Sequence, residues 1–146
     1  MFAVAAAALT IALNHQPAPS VAGHRITSYQ SAVRAFGMPT HVFTSCDALW
    51  GHLALEADSC STTGIQVTVT TRNWRTTAGL HVGDTAARTH ALYPLGRSLG
   101  FLGRGNLWQL ETGGIMCDGG PTLALAAKLA GSRVTALEVV LVPACG

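Results

Sequence analysis

Apolar residues recur with a helical period near the start of the chain. The stripe consists of Tyr29, Ala32, Val33 and Phe36. This i, i+3, i+4, i+7 spacing places one face of a helix against a core. Thr27 or Ser28 can cap the first turn, because a hydroxyl oxygen accepts a backbone N–H left without a partner. Gly37 suits the end of a helix and Pro39 prevents its continuation, so the pattern predicts a helix over 28–36.

A second, weaker stripe follows in the other half of the chain. It consists of Ala86, Thr89, His90 and Tyr93. Asp84 or Thr85 can cap its start, and Pro94 ends it. The pattern predicts a second short helix over about 85–93.

Alternating apolar and polar residues predict strands after each helix. The predicted strands cover 50–56, 65–71, 107–112, 123–129 and 134–142. Gly131-Ser132 fits a two-residue hairpin turn of type II′, in which glycine takes the positive φ. Residues 122–130 are rich in Ala and Leu and also suit a helix, but the hairpin signal favours a strand. Residues 60–64 and the Gly-rich segment 95–105 are predicted to be loops.

The second half of the chain faintly repeats the first. A shift of 57 residues places Phe36 on Tyr93 and Cys60 on Cys117, and a shift of 58 places Trp50 on Trp108. Such self-similarity indicates a duplicated structural unit. We therefore predict an α+β fold in which two tandem helix-plus-antiparallel-strand repeats, about 23–78 and 79–146, form one sheet covered by helices on one face.

The first 22 residues contain no Asp, Glu, Lys or Arg. Residues 2–13 form an apolar run that is too short to span a bilayer. Ser20-Val21-Ala22 fits the small-x-small rule for signal cleavage. We interpret 1–22 as a secretory signal peptide and 23–146 as the mature domain. The alternative is an Ala-rich helix that belongs to the folded domain.

The four cysteines all lie beyond residue 45, and they allow three disulfide pairings. The repeat favours the local pairs Cys46–Cys60 and Cys117–Cys145. A zinc site is disfavoured because no C-x2-C spacing occurs, and a reactive thiol remains an alternative. Disulfides are typical of exported proteins, which predicts a secreted or cell-envelope location.

Charge and motifs exclude several function classes. The net charge is +2 and no basic run occurs, so nucleic acid is not an expected partner, and no membrane span is expected. No histidine pair has the helical zinc spacing, and no Gly-x-Ser-x-Gly motif is present. The histidines are His15, His24, His41, His52, His81 and His90. We predict no catalytic residues, no metal site and no cofactor.

The segment 72–75 combines residue types that are common at binding hot spots. It supplies the predicted binding residues Trp74, Arg72 and Arg75, because Trp buries a large area and Arg offers several donors. The alternative is that Trp74 packs over the edge of the sheet while the arginines are solvated. The matched Trp50 and Trp108 are interpreted as packing residues.

Capped helices that end at an aromatic residue, each followed by a Trp-containing strand, resemble the β-lactamase inhibitor protein fold. The same unit occurs singly in outer-membrane assembly lipoproteins of the SmpA/OmlA type. The residues that lead into the helix of those units are similar to the segment Gly79-Leu80-His81-Val82-Gly83-Asp84-Thr85. Secreted actinobacterial proteins of unknown function share this segment and a following Leu-Tyr-Pro, which is Leu92-Tyr93-Pro94 in this chain. The resemblance implies protein binding through an exposed sheet face, without catalysis. The first repeat lacks the Gly-Asp step, and lactamase inhibition does not carry over.

The leading functional hypothesis is therefore a secreted, non-catalytic domain that binds another protein. The alternative is a small extracellular enzyme or small-molecule binder that uses the Gly-rich loop and nearby histidines. Convergence of two or more of those histidines in one cleft would favour the alternative.

Overall fold

The computed structural model describes residues 9–13, 18–60, 64–100, 104–112 and 121–143. These ranges form two helices, a single 3-10 turn at Gly51–Leu53 and eleven strands. Helix α1 spans Tyr29–Phe36 and helix α2 spans Ala86–Leu92. The strands are β1 Ile11–Ala12, β2 Ser20–Val21, β3 His24–Arg25, β4 His41–Thr44, β5 Asp47–Trp50, β6 Leu55–Asp58, β7 Gln66–Val69, β8 Arg97–Leu99, β9 Arg104–Thr112, β10 Pro121–Ala130 and β11 Arg133–Pro143.

Eight strands form one antiparallel sheet in the order β4-β5-β6-β7-β11-β10-β9-β8, and β1, β2 and β3 form a separate sheet. Helix α1 precedes the first meander, β4 to β7, and helix α2 precedes the second meander, β8 to β11. The two meanders join where Thr68 of β7 lies opposite Glu138 of β11. The residue-by-residue equivalence of two repeats stays a prediction.

The predicted α+β class is wrong. The described part of the chain is mostly β-strand, and the helices do not by themselves cover the sheet. Helix α1 has eight residues, which corresponds to about 12 Å of length. A sheet of eight strands is about 34 Å wide at the usual strand spacing. A helix of this size can therefore cover only part of the apolar face.

The rest of that face is closed by the N-terminal strands and by the loop 71–83. Both contribute buried residues to the main core cluster: Ile11, Leu13, Val21, Ile26, Trp74, Leu80 and Val82. The backbone N–H of Ile11 donates to the Arg75 carbonyl at 2.9 Å, which ties β1 to this loop. The described parts of the predicted signal peptide thus belong to the core, and cleavage after Ala22 stays a prediction.

Both helices begin where the sequence predicts. Ser28 Oγ accepts the Ser31 N–H at 3.1 Å, and Ser31 Oγ accepts the Ser28 N–H at 3.0 Å, which completes a capping box. Gly37 ends α1 with φ +80°, a conformation that glycine adopts without strain. Thr85 caps α2 by accepting the Arg88 N–H at 3.1 Å.

The strand predictions succeed for β7, β9, β10 and β11 and fail around residue 51. Strands β7, β9, β10 and β11 and the turn at Gly131 lie where the alternation places them. The single strand predicted over 50–56 is wrong, because the Gly51–Leu53 turn separates β5 from β6. The loop predicted over 95–105 is wrong in part, because it contains β8 and the start of β9.

The second meander is apolar on both faces. Leu123, Leu125 and Ala127 of β10 belong to the main core. A second buried cluster on the opposite face consists of Leu99, Leu107, Ala124, Ala126, Val140 and Val142. Strands that are buried on both sides read as continuous apolar runs, which explains the composition of β10.

Candidate functional site

The structure places the predicted anchor Trp74 inside the protein. Its side chain is 0% exposed, and its indole Nε1 donates to the Leu53 carbonyl at 2.6 Å. The surface position expected for Trp74 is therefore wrong, because the loop folds back over the sheet. The alternative interpretation, packing against the sheet, is the one observed.

The two predicted arginines lie at the surface on either side of this buried residue. Arg72 and Arg75 are both exposed. The backbone of Arg75 connects the loop to the N-terminal segment, because its N–H donates to the Leu9 carbonyl at 3.0 Å. The three residues therefore do not form one continuous surface, and their binding role stays a prediction.

The described histidines do not converge. His24 and His81 line different clefts, and His90 packs at a tilt against Trp108 with 4.4 Å between ring centroids. His52 is exposed in the Gly51–Leu53 turn. Among the residues that the structure describes, no three His, Cys, Asp or Glu side chains could hold a metal ion.

An exposed apolar edge lies at the start of the large sheet. Strand β4 is an edge strand, and all four of its residues are exposed. We define the β4 edge as Met38, Val42 and Phe43, whose exposed fractions are 79%, 52% and 50%. Val42 lies opposite the buried Ala48 and therefore points to the core side of the sheet, whereas Phe43 contacts His41 on the other side. The β4 edge thus exposes apolar side chains on both sides of the strand.

The β4 edge is held rigidly against the next strand. The Thr40 N–H donates to the Leu49 carbonyl at 2.8 Å, and its Oγ1 accepts the Gly51 N–H at 2.6 Å. The disulfide Cys46–Cys60 joins the start of β5 to the residues after β6, with 5.1 Å between Cα atoms. This predicted disulfide is confirmed, whereas Cys117 and Cys145 lie outside the described residues.

Carboxylates line the face of the sheet that points away from the main core, across β5 and β6 of the first meander and at Glu138 of β11. Residues directly opposite each other on neighbouring strands point to the same face. Asp47 lies opposite Asp58, Leu49 opposite Glu56, Glu56 opposite Thr68 and Thr68 opposite Glu138. We define the acidic face as Asp47, Glu56, Asp58 and Glu138, which are four of the seven acidic residues of the chain.

The Phe43 side of the β4 edge adjoins the acidic face. His41 lies opposite Leu49, so it shares the row that leads to Glu56. The Phe43 ring lies 4.6 Å from the His41 ring, centroid to centroid. One surface therefore carries an exposed aromatic ring at its rim and carboxylates two strands further in.

Burial and neighbouring negative charges both act on Glu56 at the centre of the acidic face. Burial raises the pKa of Glu56 above its ordinary value of 4.5, as do a hydrogen bond with Asp47 and the negative charges of Asp47, Asp58 and Glu138. The buried Oδ1 of Asp47 accepts no hydrogen bond from the described residues. A cationic group placed here would relieve the repulsion and supply a donor.

Similarity to known proteins assigns no function to this surface. No family model, curated protein or solved structure matches the chain. The β-lactamase inhibitor protein resemblance therefore stays a prediction, and the surface must be interpreted from its own chemistry.

Two findings bear on where the protein resides. The Cys46–Cys60 disulfide fits a location outside the cytoplasm, because cytosolic thiols are usually kept reduced. Neither of the described helices is long and apolar enough to cross a membrane.

Sequence reasoning missed both parts of this surface. The residues of β4 read His-Val-Phe-Thr, which gives no alternation of buried and exposed positions. The acidic face depends on pairing between β7 and β11, which no local pattern specifies. A usable signal was the sequence Gly37-Met38-Pro39, which places an apolar side chain in a turn.

Proposed function

We propose that this chain is an exported, non-catalytic domain that binds another protein through the β4 edge and the adjoining acidic face. The partner presents a segment with apolar and basic side chains. The observation that carries the proposal is the exposure of Val42 and Phe43 on a rigid edge strand. Export rests on the Cys46–Cys60 disulfide.

The apolar part of the surface supplies affinity. Phe43 and Val42 each leave about half of their surface open to water, and Met38 leaves more. Covering apolar area is favourable by about 25 cal/mol per Å². A partner side chain that covers the Phe43 ring would gain most, because aromatic residues dominate binding energy at interfaces.

The acidic face selects the charge of the partner. Glu56 is surrounded by Asp47, Asp58 and Glu138, and this repulsion persists in the free protein. Lys or Arg side chains of a partner would lower it, whereas an acidic partner would increase it. Complementary charges of this kind contribute specificity and association rate more than affinity.

Side-chain contacts, rather than extension of the sheet, are expected to carry the binding. The ladder between β4 and β5 shifts register between Val42 and Thr44. Such bulges twist an edge strand and shorten the stretch that can pair with another strand. The partner segment therefore crosses the rim of the sheet instead of adding a long strand to it.

A pair of synthetic peptides tests the proposal directly. One alternates Lys with Leu, and its partner alternates Glu with Leu, at equal length. Titration calorimetry with the full chain should show binding of the Lys peptide only. Phe43→Ser should weaken this binding at least about tenfold, as expected for an interface hot spot.

Leu95→Ser is the matched control, since Leu95 is 97% exposed and lies after α2 rather than beside β4. This variant should bind like the parent chain. Equal binding of both peptides, or no effect of Phe43→Ser, would contradict the proposal. The Phe43→Ser variant should then be used as the negative bait when partners are captured from culture supernatant and envelope fractions.

A further inference from the structure

A small cleft lies between the loop 71–83 and the start of β11, away from the acidic face. Its volume is about 280 Å³, and its lining residues are Arg72, His81, Val82, Gly83, Asp84 and Arg133. Arg72 is a binding residue predicted from the sequence, and it lies outside the β4 edge and the acidic face.

Two arginine side chains converge on the same glycine in this cleft. Arg133 Nη1 donates to the Gly83 carbonyl at 3.1 Å. Arg72 Nε lies 3.2 Å from the position that a Cβ atom on Gly83 would occupy. Gly83 also has φ +96°, which other residues rarely adopt. Because Gly83 has no side chain, the Arg72 side chain can lie over the Gly83 backbone, to which Arg133 also binds.

The backbone under these side chains is fixed by the sheet. The Gly83 N–H donates to the Val134 carbonyl at 2.7 Å, and the Val134 N–H donates to the Asp84 carbonyl at 2.8 Å. His81 Nδ1 donates to the Gly79 carbonyl at 3.0 Å, which holds its imidazole in place. The backbone at Gly83, the His81 ring and the Arg133 side chain are therefore held in place before any ligand arrives.

The cleft carries positive charge that its own carboxylate does not neutralise. Asp84 Oδ2 accepts the His81 N–H at 2.8 Å and Arg88 Nε at 3.2 Å, so this carboxylate is paired with a third arginine. Within the described ranges, Arg72 has no hydrogen-bond or ion-pair partner, and Arg133 donates to a backbone carbonyl. The guanidinium charges of Arg72 and Arg133 thus remain available for a ligand.

We propose that this cleft binds a phosphate or sulfate group. A guanidinium presents parallel N–H donors that match two oxygens of such an anion. A doubly charged oxyanion would balance Arg72 and Arg133 together. The volume of about 280 Å³ holds the anion and the first atoms attached to it, and it lies just below the range usual for larger ligands.

A second arginine-containing cleft serves as an internal comparison. It lies beside α1, has a volume of about 250 Å³ and is lined by His24, Arg25, Ser31, Arg34 and Ala35. It resembles the first cleft in size and in having two arginines. The observed hydrogen bond from Arg133 to Gly83 has no counterpart there among the contacts of Arg25 and Arg34, so Arg34→Gln is the matched control.

The test uses inorganic phosphate and phenyl phosphate as probes, titrated into the 15N-labelled full chain at constant ionic strength. We expect saturable shifts of the Gly83 and Asp84 amide signals. Arg72→Gln should weaken binding at least about tenfold, because a charge-assisted hydrogen bond is lost. Its melting temperature should stay close to the parent's, since Arg72 is exposed and makes no hydrogen bond or ion pair with the described residues. Arg133→Lys keeps the positive charge but loses the paired N–H donors of the guanidinium, so we expect a loss of phosphate affinity smaller than that of Arg72→Gln.

Tighter binding of phenyl phosphate than of phosphate would assign the cleft to an esterified ligand, and equal binding would assign it to the free anion; both sustain the proposal. Three results overturn it. The first is the absence of saturable shifts at 10 mM probe, about the weakest affinity that a specific site of this kind would show. The second is unchanged binding by Arg72→Gln, and the third is an equal loss in Arg34→Gln.

Discussion

The first and second meanders share their order of elements but differ in what surrounds them. In the second, Ala124 and Ala126 are buried on the face opposite to Leu125. In the first, the same outward face carries the carboxylates of the acidic face, and its outermost strand is exposed. One meander therefore serves as scaffold, while the other retains a polar surface with an apolar rim. The two meanders therefore differ in the chemistry of their outward faces and not in the order of their strands.

The two matched tryptophans show the same difference at atomic scale. Trp50 is fully buried between Tyr29 and Phe36, and its Nε1 donates to the Gly37 carbonyl at 2.9 Å. Trp108 is only partly buried, and its buried Nε1 finds no hydrogen-bond partner in the described chain. The first meander thus has the better satisfied core, although its outer surface is the more open one.

Removal of residues 1–22 is expected to have the largest effect, because both meanders share the core that this segment helps to close. The fully buried Ile11, Leu13 and Val21 would be lost. At about 1.5–3 kcal/mol for each side chain, the loss is about 5–9 kcal/mol, comparable to the total stability of a domain. Circular dichroism and thermal melting should show a chain that is largely unfolded.

Deletion of residues 1–8 alone is the control, because it leaves β1 and β2 in place. This variant should melt close to the parent chain. If the 23–146 chain instead melted like the parent, the segment would be dispensable for the core. That result would strengthen its interpretation as a signal peptide.

Loss of the Cys46–Cys60 disulfide should rank second and should act on the first meander. The bridge closes a loop with a sequence separation of 14. For a loop of this length the chain-entropy account gives about 3 kcal/mol. The double variant Cys46→Ala/Cys60→Ala should therefore unfold at lower denaturant concentration. Hydrogen exchange should accelerate in β5 and β6 more than in β10, and uniform acceleration would contradict a local role.

The same substitution at the two tryptophans sharpens the comparison further. Trp50→Phe removes the hydrogen bond to Gly37 and leaves that carbonyl without its donor, so we expect a loss of about 1–2 kcal/mol beyond the change in packing. Trp108→Phe removes a buried N–H that has no partner among the described residues, so its loss should be smaller by about that amount. The denaturant midpoints of both variants measure these losses of stability. Equal losses would contradict the inferred difference in hydrogen bonding between Trp50 and Trp108.

Sequence reasoning captured the features that are encoded locally. Candidate caps at 27–28 and 84–85 located the starts of both helices, and alternation located β7 and the β10–β11 hairpin. The Cys46–Cys60 pair followed from the spacing of the cysteines in the proposed repeat. Each of these signals depends on residues within one turn, one hairpin or one short loop.

Features that depend on residues distant in the sequence could not be predicted from local patterns. The apolar segment around Ile11 has the composition of a signal peptide whether or not it packs in a core. Trp74 has the same sequence context whether the loop points outward or folds back onto Leu53. The acidic face arises only when β7 pairs with β11, and the Arg72–Arg133 cleft only when their loops meet at Gly83.

The smallest expected effect concerns the charge of the acidic face. The pKa of Glu56 is raised, so the folded state holds its proton at pH values where the unfolded chain, with a pKa near 4.5, has released it. Stability therefore falls as pH rises from about 4.5 through the raised pKa.

Glu56→Gln removes this pH dependence. Relative to the parent, the stability of the variant should improve between pH 4 and pH 7, by about 0.2–1 kcal/mol at the upper end. Glu111→Gln is the matched substitution in the second meander. Urea unfolding at several pH values should show the gain for Glu56→Gln alone; a gain of equal size at Glu111 would mean that the repulsion is not specific to the first meander.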